Sequence, residues 1–141
     1  MKPFSIFDNI LTKNERRRLK DTGIKRTLKP KTNFTSLERK YYLMLKEIGV
    51  YYVPQYYIGG RYYDAYLPDQ NILLEFDGTF WHPKTKDDCK YDFQKKNMEI
   101  DKLKNRLAEQ KGIKIIRIRE EDPITTNEMR KLIFQNHEIK R

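Results

Sequence analysis

The first residues in this chain that suggest chemistry are two carboxylates in an otherwise apolar run. The stretch Asn71-Ile72-Leu73-Leu74-Glu75-Phe76-Asp77-Gly78 reads as a strand, apolar enough to lie centrally in a sheet. Side chains alternate along a strand, so Ile72, Leu74 and Phe76 share one face and Leu73, Glu75 and Asp77 the other. Glu75 and Asp77 are then same-face neighbours, about 7 Å apart between Cα atoms. Two anions so placed beside an apolar core repel each other and resist desolvation. A hard divalent cation offsets both costs, and Mg²⁺ commonly takes one or two carboxylates plus phosphate oxygens. The plainer alternative is that both carboxylates reach solvent at the strand end beside Gly78. Asp64 weighs against it, because it interrupts a second strand that otherwise reads Tyr62, Tyr63, Ala65, Tyr66, Leu67. The connection from Asp64 to Glu75 is short enough for the two to approach across an antiparallel hairpin. Asp64, Glu75 and Asp77 together make a candidate divalent-metal cluster, able to polarise a phosphoryl oxygen and to make water more acidic.

His82 follows in Gly78-Thr79-Phe80-Trp81-His82, just beyond that cluster. Neutral imidazole accepts a proton from water, and imidazolium protonates a leaving oxygen. His137, near the C-terminus, has no such setting and reads as a surface residue. Phe80 and Trp81 are adjacent large apolar residues in a loop, a costly exposure unless they pack or bind something. Aromatic wedges of this kind can enter a base step and unstack it.

These residues need elements to position them. Thr35-Ser36-Leu37-Glu38 is a capping box, and Leu37, Tyr41, Met44, Leu45 and Ile48 follow at helical spacing up to Gly49. Residues 50–58 and 61–67 read as strands joined by Gly59-Gly60, a two-residue hairpin signal. Pro54 suggests an edge strand or a bulge. With 71–78 they form an antiparallel meander. A loop over 79–90 leads to a helix over about 91–111, and 113–118 reads as a fourth strand packed back into the same sheet, with a right-handed crossover. Thr125 or Thr126 caps a last helix to about 135. Residues 8–20 read as a short helix and 21–34 as a basic linker. The expected fold is α/β of the α+β kind: an αβββαβ core with a mixed four-stranded sheet flanked by helices. The expected divisions are a basic arm 1–34, a core 35–123, and a C-terminal helix and tail 124–141. Nine of the ten tyrosines lie between 41 and 66. Aromatics there can stack on bases, but strands favour them anyway, so packing is the expected role of most.

The chain has 141 residues, with 30 Lys and Arg against 20 Asp and Glu, a net charge of +10. Residues 1–34 hold ten basic and three acidic residues, so +7 of that charge sits in the arm. A basic arm on a nearly balanced domain suits a polyanion, most simply nucleic acid. A solubilising tail is the alternative. Arg16-Arg17-Arg18 lacks a strongly apolar opposite face, which disfavours a membrane surface. No apolar run approaches the roughly 20 residues that span a bilayer. The N-terminus lacks a signal-peptide core, and the single Cys89 cannot form an internal disulfide. An intracellular protein, from the cytoplasm of a bacterial or phage-infected cell, is the expectation.

The run RYYDAYLPDQNILLEFDGTFWHP, followed by DKLKNRLAEQKGIKIIRI, resembles the PD-(D/E)XK nuclease superfamily. More narrowly, it is similar to the branch shared by very-short-patch mismatch repair endonucleases and certain phage homing endonucleases. The similarity runs from Thr35 to about Glu121. It rests on the helix TSLERKYYLML, the strand Asp before a Leu-Pro turn, the Gly-x-Phe-Trp-His signature and the Asp-led helix before IKIIRI.

By position, the resemblance implies that Asp64 and Glu75 bind metal, with the backbone carbonyl of Phe76 as a further ligand. It implies proton transfer by His82, with Asp101 close to it on the following helix. Glu38 matches a glutamate that faces the site, although its capping box already explains it locally. Asp101 also has a plain reading, as a solvated helix residue partnering Lys104 or Asn105. Phe80 and Trp81 match aromatics that intercalate in the repair enzymes. Asp77 departs from the pattern: the repair enzymes have another histidine there and the superfamily often a lysine, so the general base is open. The repair enzymes also hold a structural zinc through Cys and His, and one cysteine gives no such site here.

The expected function is therefore a DNA endonuclease dependent on Mg²⁺ or Mn²⁺, of a phage homing or other site-specific type, acting on double-stranded DNA. The rivals are a mismatch-directed repair nickase and a nucleic-acid-binding module without catalysis. Expected DNA contacts are Arg16, Arg17, Arg18, Lys25, Arg26, Phe80, Trp81, Lys84 and Lys86.

Overall fold

The computed structural model describes residues 34–139; the expected helix over 8–20, the linker up to residue 33 and Arg16, Arg17, Arg18, Lys25 and Arg26 lie outside them. The chain runs α1 (Ser36–Ile48), β1 (Val53–Ile58), β2 (Arg61–Leu67), β3 (Ile72–Asp77), a short 3₁₀ turn (Lys86–Asp88), α2 (Asp92–Gln110), β4 (Lys114–Arg119) and α3 (Thr126–Ile139). The αβββαβ order is as expected. The sheet order is β1-β2-β3-β4, antiparallel except for the parallel β3–β4 pair. No helix among the described residues is long and apolar enough to cross a membrane.

Local signals account for most boundaries. The Thr35 hydroxyl accepts the Glu38 N–H while the Glu38 carboxylate accepts the Thr35 N–H, both at 3.1 Å. Gly49 ends α1 in the left-handed region, at φ 80°, where a side chain would cost strain. Strand β3 is buried at every position, as expected for a central strand. Ile72, Leu74 and Phe76 pack under α1 and α3 with Tyr41, Leu45, Met129 and Ile133. On the other face Leu73 packs with Val53, Tyr56, Tyr63 and Ala108 of α2. Fully burying a leucine such as Leu45, Leu73 or Leu74 contributes about 1.5–3 kcal/mol. Tyr41, Tyr42, Tyr56 and Tyr63 are core residues.

The expected divisions place the C-terminal helix and tail, 124–141, outside the core. Met129 and Ile133 are instead fully buried in the main core, because a short helix after β4 closes the apolar face that α1 leaves uncovered. Phe34, the last residue of the expected arm, packs edge-on against Tyr42 at 5.1 Å.

One irregularity shapes the site. Val53 and Tyr56, three residues apart, pack in the same cluster, and so do Tyr63 and Tyr66. A regular strand cannot do this, so both strands change face between them. The pairs Pro54↔Ala65 and Tyr56↔Tyr63 leave Gln55 opposite Asp64 at that point. Gln55 has φ 51°, a left-handed value unusual for a non-glycine residue. Of the two readings of Pro54, the edge strand holds: β1 lies at the sheet edge, and the register on either side of Gln55 is one-to-one, with no inserted residue and so no bulge.

Candidate active site

Asp64 and Glu75 face each other where the β2–β3 ladder gives out. Backbone register runs from Leu67↔Ile72 to Ala65↔Leu74. Beyond it each carboxylate binds the opposing strand. Phe76 N–H donates to Asp64 Oδ2 at 2.7 Å, and Asp64 N–H donates to Glu75 Oε1 at 3.2 Å. The approach across the hairpin is therefore direct. Burial pushes both carboxyls well above their ordinary range. For Glu75 the Asp64 charge adds to that, while Lys104 opposes it. For Asp64 the Phe76 hydrogen bond and Lys104 oppose burial, and Glu38 and Asp77 reinforce it.

Behind the pair lies a layer of polar side chains. Tyr42 donates its hydroxyl to the Asp64 carbonyl. Gln55 Nε2 donates to Glu38 Oε2 at 3.0 Å and lies 3.4 Å from the Tyr42 hydroxyl. Glu38 is buried, so its second oxygen serves this network while the first keeps the helix cap. The left-handed backbone at Gln55 accompanies the change of face that puts the amide there.

Asp77 is 2% exposed, and its place differs from that of the other two. Arg117 Nη1, from the parallel neighbour β4, lies 3.1 Å from both its oxygens. The same guanidinium reaches the Asp101 carbonyl at 3.2 Å, Asp101 Oδ1 at 3.6 Å and Asn105 Oδ1 at 2.9 Å. Among the described residues, no group of three or more His, Cys, Asp and Glu side chains is disposed to hold a metal ion. The two-carboxylate pair fits a hard cation by its donor chemistry, since carboxylate oxygens from facing strands are held together by the Asp64 N–H to Glu75 Oε1 and Phe76 N–H to Asp64 Oδ2 hydrogen bonds.

His82 Nδ1 meets Asp101 Oδ2 at 2.7 Å. Lys104, the other partner considered for Asp101, turns to Glu75 instead. The carboxylate accepts from Nδ1–H, which leaves Nε2 as the nitrogen available for proton exchange. Burial works against the imidazolium, but the Asp101 hydrogen bond and charge, with Asp77 and Glu75, outweigh it and raise the pKa. The electrostatic reach of Glu75 and Asp77 ties the dyad to the carboxylate site.

The loop that carries His82 is pinned from two sides. Gln94 Nε2 of α2 donates to the Phe80 carbonyl at 2.8 Å, and Asn97 Nδ2 to the Trp81 carbonyl at 2.9 Å. Arg119 of β4 donates to the His82 carbonyl, and Thr79 N–H donates to Glu120 Oε1 at 3.0 Å. Held this way, Phe80 and Trp81 stay 53% and 57% exposed. Tyr91 and Phe93 extend them into a patch of aromatic rings, Trp81–Phe93 at 5.3 Å and Phe80–Phe93 at 5.6 Å. Lys84 lies near Glu121 and Asp122, at 3.8 and 3.4 Å, and Lys86 stands exposed in the 3₁₀ turn.

Lys104, Arg117, Gln55, Gln94 and Asn97 were not singled out as site residues from the sequence. Lys104 carried a signal, three residues beyond Asp101 on the same helix face, and so did Gln94, whose side chain accepts the Tyr91 and Lys90 N–H groups at the start of α2. The contacts that bring the others to the site span 12 to 40 positions.

No protein-family model matches the chain, and no curated protein matches it. Among solved structures, the catalytic domain of homing endonuclease I-Bth0305I is similar to it, at 23% identity and a TM-score of 0.49. The match covers 74% of this chain and 92% of that one. A likeness this loose carries no weight for function, which rests on the site itself.

Proposed function

We propose that the chain is a divalent-metal-dependent endonuclease that hydrolyses phosphodiester bonds in double-stranded DNA, of a phage homing or other site-specific type. The observation that carries this reading is the buried Asp64–Glu75 pair, beside a His82–Asp101 dyad that feels its charge. A binding module gains nothing from clustered anions that face phosphate and cost desolvation energy. Asp64 and Glu75, with the Phe76 carbonyl, would hold Mg²⁺ or Mn²⁺. When bound, the ion supplies Lewis-acid stabilisation of charge on the reacting phosphate.

The chain's own residues do the rest. Asp101 fixes the His82 ring and presents Nε2 for the proton of the attacking water or of the leaving oxygen. Arg117 holds Asp77 and Asp101 in one frame, so Asp77 positions rather than reacts. Tyr42, Gln55 and Glu38 stiffen the backbone behind Asp64. The aromatic patch of Phe80 and Trp81 stacks on bases beside the scissile bond, and the basic arm adds phosphate contacts.

The experiment is incubation of the full chain with plasmid DNA and Mg²⁺ or Mn²⁺, followed by mapping of the cut ends. Discrete, EDTA-sensitive cuts at one sequence are expected. Cuts confined to mismatched duplexes would point to the repair role. Binding without cleavage by either ion would leave only a nucleic-acid-binding module.

A further inference from the structure

Lys104 is held at both ends. Its ammonium lies 2.7 Å from Glu75 Oε1 and 4.9 Å from the centre of the Tyr63 ring. Its backbone carbonyl accepts the Tyr63 hydroxyl at 2.8 Å. The side chain is only 12% exposed. Arg117 is committed to Asp77 and Asp101, so among the described residues Lys104 is the cation paired with Glu75. Glu75 Oε1 also accepts the Asp64 N–H, so the oxygen nearest Asp64 already has two donors.

We propose that Lys104 is a built-in counter-ion that competes with the divalent metal for Glu75, so that metal binding expels its ammonium from the carboxylate. The inference deepens the metal-binding reading above and rests on it. A divalent ion on Glu75 Oε1 would stand within a few ångströms of the ammonium, where like charges repel strongly in a partly dry site. The lysine has a flexible four-carbon stem and can leave without disturbing α2. The cost of that displacement weakens metal affinity in the absence of DNA.

The test measures metal binding by calorimetry on the full chain without DNA, using Mn²⁺ and Mg²⁺ at about pH 8.5, where protons compete least for the carboxylates. Lys104→Met should bind Mn²⁺ at least about tenfold more tightly than wild type, since it lacks the competing charge. Lys104→Arg keeps the charge and should stay within about threefold of wild type. The Lys104 ammonium signal in wild-type NMR spectra should also shift on Mg²⁺ addition, a readout independent of whether Lys104→Met folds. Equal or weaker Mn²⁺ binding by folded Lys104→Met, or an ammonium signal unmoved at saturating Mg²⁺, overturns the inference and leaves the metal reading standing. Absence of metal binding by wild type and Lys104→Met alike overturns both.

Discussion

His82 and Asp101 stand 19 residues apart in sequence and 2.7 Å apart in space. The loop after β3 brings one and the middle of α2 the other, and the hydrogen bond orients the imidazole. Burial alone would lower the histidine pKa; Asp101 is the main reason that it is raised. Asp101→Asn should therefore lower it, as an NMR titration of the His82 ring would show. The sign for stability follows. A raised folded value stabilises the fold at pH below the ordinary histidine value, and the benefit is lost as pH rises through the folded value. Asp101→Asn should thus cost more stability in mild acid than above neutrality. His82→Ala should lower single-turnover cleavage by roughly 10²–10⁴-fold with little change in DNA affinity. Normal cleavage by that variant would remove His82 from the reaction.

Asp64→Ala and Glu75→Ala should each reduce cleavage by about 10³-fold or more, as expected for the loss of several kcal/mol of transition-state stabilisation. DNA affinity should stay the same or rise, because a negative charge near phosphate is removed. Gel-shift and single-turnover assays on both variants check the pair, and wild-type rates would refute the assignment.

Without metal, the carboxylate pair should make the protein less stable as pH rises. Both folded values are raised by burial, so folding disfavours the charged forms. The penalty is absent below about pH 4 and complete only above the folded values, near 6 for Asp64 and 7 for Glu75. Asp64→Asn should therefore gain stability relative to wild type as pH rises through that window in EDTA. Added Mg²⁺ should stabilise wild type at neutral pH and do little for the variant. Thermal melts across the range measure both effects, and parallel curves would contradict them.

Phe80→Ala with Trp81→Ala should leave the protein folded, because both rings are more than half exposed. Binding should weaken by roughly 1–3 kcal/mol for each lost base stack. A fluorescent base analogue beside the cut site should report less unstacking than with wild type. A collapse of the melting transition would instead make the rings part of the packed structure.

Deleting residues 1–33 should flatten the salt dependence of DNA binding. Each lost phosphate contact changes the log–log slope by about 0.9 on duplex DNA. Phe34 is retained because it packs on Tyr42. An unchanged slope would leave the arm a solubilising tail.

The elements that the sequence determined are those set by contacts within a few residues or by simple alternation. The Thr35–Glu38 cap, the glycine turn at 59–60, and the opposite faces of Leu74 and Glu75 depend on local geometry alone. The closeness of Asp64 and Glu75 follows from one short hairpin. Tertiary structure decided the pairing of charges across elements. Whether Asp77 meets Arg117, or Lys104 meets Glu75 rather than Asp101, depends on how β4 pairs with β3 and on the rotation of α2 about its axis. These contacts join residues 40 and 29 positions apart. The same holds for the face switch at Gln55 and for the burial of Met129 and Ile133. Each results from packing two apolar layers onto one sheet, and turning α2 by a single residue, about 100°, would exchange the partners of Asp101 and Lys104.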